Sequence, residues 1–241
     1  KSLIDAMSNV TVDQATANTE ASVKTWLIAK INSLSGMSAT GITVTADNIT
    51  LSNFIAAVEG ASSSSTRKNG SFKFSVNLQK TETTQVTASN SGVITATTIY
   101  SVNVNVSTNG SVTASPTTGS AGTQITLSVT ANDGYELDNI TTTPSTTISG
   151  TGSTRTFTMP SSNVAVTASF KKTADQQAVE TAQSLINAMS NVSVPQATAN
   201  SETDVKNWLA TQINSLISST TGITVTASNI TLGSVFNSAI E

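Results

Sequence analysis

Apolar residues follow two different periods along this chain. Val23, Trp26, Leu27, Ile31 and Leu34 stand at i, i+3, i+4, i+8 and i+11, the spacing that lines one face of a helix. Val205, Trp208, Leu209, Ile213 and Leu216 repeat that stripe. Ahead of the second stripe, Val179, Ala182, Leu185, Ile186 and Met189 form another helical face and predict a helix over residues 174–189. Residues 190–200 break the helical period. Asn18 and Asn200 are the expected N-caps of the two stripe helices, with Glu20 and Glu202 in their first turns, where the helix dipole favours negative charge.

Elsewhere the period is two. Phe72, Phe74, Val76 and Leu78 alternate with Ser71, Lys73, Ser75 and Asn77, as in a strand buried on one face. Ile42, Val44 and Ala46 alternate with Thr. The apolar face then switches at Asp47-Asn48, before Ile49 and Leu51, which predicts a strand with a bulge or bend. Further strands are expected over 83–88 and 93–100, and composition marks 60–70 (GASSSSTRKNG) as a flexible loop. From Ser101 to Lys172 no helical period survives. Val102, Val104 and Val106, then Ile125, Leu127 and Val129, then Val164, Val166, Ala168 and Phe170 alternate with polar residues. Asn109-Gly110 is a hairpin-turn signal. Five or six short strands are expected here, and Lys171-Lys172 should begin a linker.

The two helical stripes belong to an internal repeat. Residues 2–34 match 184–216 without a gap, with 23 identities in 33 positions. After one deleted residue, GITVTADNITL (41–51) matches GITVTASNITL (222–232) at 10 of 11 positions. Pro195 occupies the place of Asp13. Copy two contains no counterpart of Phe72–Tyr100, so its first strand, 223–232, should present an open edge. Strand-exchange pairing through this truncated copy is therefore expected, and a cut tandem array is the expected origin of the fragment. The fold class read from these patterns is α+β multi-domain. Residues 1–100 form a two-helix plus antiparallel-sheet module, 101–172 a small β-rich repeat domain, and 173–241 a second, partial copy of the first module.

A family resemblance is carried by five ordered blocks of the middle segment. They are Ser107-Thr108-Asn109-Gly110-Ser111-Val112, Gly122-Thr123-Gln124-Ile125-Thr126-Leu127, Gly134-Tyr135-Glu136-Leu137, Phe157-Thr158-Met159-Pro160 and Asn163-Val164-Ala165-Val166-Thr167-Ala168-Ser169-Phe170. Together they resemble the divergent internalin-type B-repeat of bacterial surface proteins, over roughly 70 residues. The resemblance implies a β-grasp-related module repeated within large secreted or wall-attached proteins, with no catalytic residues to carry over. Each block also has a physical reading. Gly134 supplies a turn after Asn132-Asp133, Tyr135 and Phe157 offer large rings to a core short of aromatics, and Pro160 ends a strand.

Composition narrows the chemistry. The 241 residues contain no His and no Cys, and 80 of them are Ser or Thr. Thiol and imidazole catalysis, and metal sites built on those ligands, are excluded. With 11 Lys+Arg against 14 Asp+Glu and net charge −3, the chain is a poor nucleic-acid binder. No apolar run approaches the roughly 18 residues of a membrane span.

The remaining candidates each face a plainer reading. Trp26 and Trp208 could stack on sugars, but they sit on apolar helical stripes and are read as core. Tyr100 and Tyr135 are read as packing residues. Asp133 and Asp138, with Asn132 and Asn139, could offer oxygens to calcium, but Asn-Asp-Gly is first a turn sequence. Glu20, Glu59, Glu82, Asp133 and Asp138 could supply a glycosidase carboxylate pair, but nothing in the sequence brings two together. Lys73 or Lys80 could join an Asn side chain in a crosslink, yet Lys73 alternates with Phe72 and Phe74 and should face solvent.

No catalytic, cofactor-binding or metal-ligating residue is assigned, and no cofactor or enzyme activity is expected. The expected function is a non-catalytic structural or adhesive repeat segment of a bacterial cell-surface or secreted protein, acting as spacer or interaction module. The alternative is a glycan- or ligand-binding accessory region of an extracellular multidomain enzyme. Expected partners are a host or bacterial surface protein or a glycan, and the expected location is extracellular, at the bacterial cell surface.

Overall fold

A computed structural model of the chain describes residues 1–8, 10–81, 84–190, 192–198 and 200–233. In chain order the elements are α1 (Ser2–Asp5), β1 (Thr11–Asp13), α2 (Glu20–Asn32), α3 (Met37–Thr40), β2 (Ile49–Ile55), β3 (Gly70–Thr81), β4 (Thr84–Thr95), β5 (Tyr100–Val104), β6 (Gly110–Ser115), β7 (Thr118–Gly119), β8 (Gln124–Ala131), β9 (Tyr135–Thr143), β10 (Thr154–Thr158), β11 (Val164–Lys172), α4 (Ala174–Asn187) and α5 (Glu202–Thr221). The strands form three sheets, in the orders β1-β4-β3-β2, β10-β8-β6 and β7-β5-β11-β9. The chain is α+β and multi-domain. Compact grouping of residues gives two units, Lys1–Asn105 with Thr113–Ser128 and Thr141–Val166, and Val106–Val112 with Val129–Ile140 and Thr167–Glu241. Strands β6, β8, β9 and β11 have residues in both.

In copy one, α2 lays Val23, Leu27 and Ile31 into a core with Phe72, Phe74, Val76 and Leu78 of β3 and Ala88 and Ile94 of β4. All three helix residues are fully buried. The alternation along β3 survives in space, and Phe72 and Phe74 share the inner face with ring centroids 6.1 Å apart. Sequence periodicity therefore placed both halves of this core correctly.

Several local expectations are corrected. The cap of α2 is Thr19, whose hydroxyl accepts from Ser22 N in a capping box. Asn18 sits one residue earlier because its amide is engaged elsewhere: it donates to Ala57 O at 3.0 Å and accepts from Ala57 N at 2.7 Å. Ser201, not Asn200, caps α5, its hydroxyl accepting from Asp204 N at 3.1 Å. Residues 42–45 are not a strand. Asn32 clamps both backbone groups of Val44 at 2.9 Å, a 3-10 turn follows at Ala46–Asn48, and β2 begins only at Ile49. The true bulge lies between Ser52 and Ile55, with Asn53 at φ 51°.

The two strands expected over 83–88 and 93–100 are one strand, β4, that runs through Gly92 and stops at Thr95; residue 83 lies outside the described residues. Gly92 is no breaker here. A Cβ on it would stand 2.2 Å from Phe72 Cζ, so glycine admits the ring. The sheet is not wholly antiparallel either. The three-residue β1 pairs parallel to β4, Val12 opposite Ile94, an edge strand too short to show a period.

The middle segment holds seven strands, one of them the two-residue β7. Ile125 and Leu127 of β8, Phe157 of β10 and Val164 and Val166 of β11 are buried as the alternation implies, and Met159 joins them. Tyr135 is only half-buried. Val106 is not part of a strand: β5 ends at Val104, and Val106 is fully exposed. Asn109 does turn the chain, at φ 65°, but it makes no hairpin, since β5 and β6 belong to different sheets. Gly110 is required by the Phe170 ring, which a Cβ would meet at 2.5 Å.

In copy two, α4 spans Ala174–Asn187 and α5 runs unbroken over 20 residues. The strand expected over 223–232 is absent. Residues 223–226 are extended, a 3-10 turn occupies Ala227–Asn229, and 230–233 form no ladder with other described residues. A strand needs a neighbour for its backbone groups; β3 supplies one to Ile49–Ile55, and among the described residues none pairs with 230–233.

Candidate functional site

The sequence-level candidates fall on separate elements. Trp26 is half-buried and packs against the core of copy one. Trp208 is also half-buried and lines an open groove of about 490 Å³ with Met189, Val192 and Leu216. Tyr100 opens β5 and borders a shallow pocket of about 400 Å³ with Glu59, Thr118 and Asn163. Tyr135 opens β9. Glu20 lies in the first turn of α2, Glu59 follows β2, Asp133 sits in the turn before β9, and Asp138 lies on β9; all four are exposed. Glu82 lies outside the described residues. Among the described residues no group of three or more Asp, Glu, His or Cys side chains could hold a metal ion.

The oxygens once considered for calcium have other company. Lys171 Nζ stands 3.6 Å from Glu136 and 3.7 Å from Asp138, and Asp138 also faces Ser169 Oγ at 3.4 Å. Asn132 and Asn139 are exposed. Lys73 faces solvent as its alternation requires, and Lys80 Nζ donates to Thr40 O at 2.8 Å.

The most constructed sites are the two ends of the middle segment, where the sequence predicts a strand over 93–100 at the first and the start of a linker at Lys171-Lys172 at the second. At the first end, Ala96 N donates to Asn69 Oδ1 at 2.9 Å and Arg67 Nη2 donates to Ala96 O at 2.7 Å. Thr97 N donates to Gln14 Oε1 at 2.9 Å, and Ile99 N donates to Gly60 O at 2.9 Å. Ser101 N then donates to Asn163 Oδ1 at 2.9 Å. Arg67 and Asn69, from the stretch expected to be a loop, thus tie down the residues that leave β4. Val58 and Lys68 also exchange both backbone hydrogen bonds, closing that loop at its base.

At the second end, Lys171-Lys172 is not a linker but the last two residues of β11, and Thr173 alone separates strand from helix. Thr173 caps α4 through Gln176 N at 3.2 Å, while its own N–H donates to Gly134 O at 2.9 Å. Gln177 Nε2 donates back to Lys172 O at 3.0 Å. Lys172 pairs with Glu180, which also accepts from Gln176 Nε2 at 3.0 Å. The hydrogen bond from Lys172, then that from Gln176, hold the Glu180 carboxyl below its ordinary range, and the Glu180 contact raises Lys172 in turn. Gly134 serves twice. It turns at φ 78°, and a Cβ there would lie 2.8 Å from Gln176 Oε1. The sequence signal for the turn was visible; the packing against α4 was not.

The family model described as the divergent InlB B-repeat domain matches residues 100–174, the stretch between these two ends. That family is one of bacterial surface repeat domains, and the match covers under a third of the chain. Neither the curated proteins nor the solved structures searched contain a match to it. No described helix is long and apolar enough to cross a membrane.

Proposed function

We propose that the chain is a non-catalytic structural repeat segment of a bacterial cell-surface or secreted protein, acting as a spacer or interaction module. The observation that carries this reading is the B-repeat match at 100–174. The hydrogen-bonded ends of that segment support it, since side-chain and backbone bonds rather than a free linker hold the residues at each end. On this reading residues 1–100 and 173–241 are two copies of one flanking module around a B-repeat at 101–172. The partner is a surface protein or glycan of the bacterium or its host, reached outside the cell.

The experiment is protease shaving of intact bacteria that express the protein. Peptides from this chain should be released before cells lyse. Recovery only from lysed cells would overturn the reading. Incubation of the purified chain with a glycan array addresses the accessory-region alternative, which requires saturable binding lost on Trp208→Ala.

A further inference from the structure

Tyr100 borders two cavities at once. With Asp13, Thr98 and Ser120 it lines one of about 300 Å³. With Glu59, Thr118 and Asn163 it lines the pocket of about 400 Å³ described above. All of these residues belong to one compact unit. The ring is only half-buried. Its cross-strand neighbour on β7 is Gly119, which has no side chain to lie over it.

The polar groups around the ring are not used by the fold. Among the described residues neither the Asp13 nor the Glu59 carboxylate pairs with a cation, and the Tyr100 hydroxyl makes no hydrogen bond. Asn163 is fixed through its Oδ1, which accepts from Ser101 N at 2.9 Å. Its amide N–H groups are left to donate outward. The backbone beneath is held from two sides. Gly60 N donates to Thr97 O at 3.2 Å and Ile99 N donates to Gly60 O at 2.9 Å, while Tyr100 and Ser101 pair with Gly119 and Thr118. Few groups need ordering when a ligand arrives. Arg67, bonded to Ala96 O at the wall of the first cavity, offsets part of the local negative charge, which favours a neutral ligand over a cationic one.

We infer that Tyr100 is the stacking platform of a binding site for a neutral oligosaccharide. The aromatic face receives the C–H face of one pyranose ring. Asp13 on one side and Glu59 on the other accept from sugar hydroxyls, and Asn163 donates to a sugar oxygen. Aromatic surface with a few fixed donors and acceptors is the make-up of a small-ligand site. This deepens the proposed function and rests on its glycan partner, placing that partner at Tyr100 and not in the Trp208 groove.

The test uses the whole chain labelled with 3-fluorotyrosine. The sequence has two tyrosines, so Tyr135→Phe assigns both resonances. The probes are cellotriose, maltotriose and N-acetylchitotriose. The expected result is a saturable shift of the Tyr100 resonance by at least one of them, with Tyr135 unmoved. By calorimetry, Tyr100→Ala should weaken binding by about tenfold or more, and Tyr100→Phe should preserve it. Should Tyr100→Ala fail to fold, Glu59→Ala and Asp13→Ala carry the test. Both positions are exposed, and each should weaken binding severalfold through loss of a charged acceptor. A Tyr100 resonance that none of the three sugars moves overturns the inference, as does a shift that Glu59→Ala and Asp13→Ala leave unchanged. Sugar binding that survives Tyr100→Ala but not Trp208→Ala also overturns it while leaving the glycan reading intact. Release of the chain by protease shaving with no sugar response would leave the surface spacer standing without this site.

Discussion

The two copies offer a matched substitution, Leu27→Ala and Leu209→Ala, at equivalent positions of nearly the same helix. Leu27 is fully buried in the core of copy one. Removing three carbons forfeits about 2.4 kcal/mol of transfer energy at ~0.8 kcal/mol per carbon. A cavity between α2 and the Phe-lined sheet adds on the order of 1 kcal/mol, for a total of about 3–4 kcal/mol. Leu209 is half-buried, so about half the transfer term applies and no closed cavity forms. The expected loss is about 1 kcal/mol. With 5-fluorotryptophan distinguishing Trp26 from Trp208, urea titration gives a separate transition for each copy, as a multi-domain chain requires. L27A should shift only the Trp26 transition and L209A only that of Trp208, by about a third as much. If Leu209→Ala proves as damaging as Leu27→Ala, Leu209 is fully covered in solution, and the reasoning from its partial exposure is wrong.

Three further outcomes follow from individual contacts. Gly92→Ala places a methyl against Phe72 and should destabilise copy one by about 1–3 kcal/mol, while Gly92→Ala combined with Phe72→Leu recovers part of the loss in the same urea assay. Asn18→Ala leaves Ala57 N without its acceptor, while Gln14 Nε2 still reaches Ala57 O at 3.2 Å, and should destabilise copy one by about 1–3 kcal/mol, whereas Asn200→Ala should not destabilise copy one. At the strand–helix joint, the Glu180 contribution is present above its ordinary value of 4.5 and is lost as pH falls through its lower folded-state value. That of Lys172 is present below 10.5 and is lost as pH rises through its higher folded-state value. Carboxyl carbon NMR should show Glu180 titrating low, and Lys172→Met should return it toward 4.5; an unchanged titration would mean the pair does not form.

What was legible in the sequence is what local periodicity encodes. The α2 stripe, the inner face of β3, the strands β8 and β11, and the α+β class all appear at fixed spacings, because a helix and a strand each repeat their buried side at a constant interval. The two copies and the B-repeat blocks were legible for the same reason, as order along the chain. Residues that act across the chain were not. Asn18 looked like a cap until Ala57 claimed its amide. The single strand β4 looked like two, over 83–88 and 93–100, because nothing local shows that Gly92 admits the Phe72 ring. Lys171-Lys172 looked like a linker until Thr173 and Gly134 bonded. The contrast between 49–55 and 230–233 is sharpest. Ile49-Thr50-Leu51 and Ile230-Thr231-Leu232 are identical in sequence, yet only the first is a strand. Backbone pairing is a property of two segments, and only the tertiary structure shows β3 beside the first.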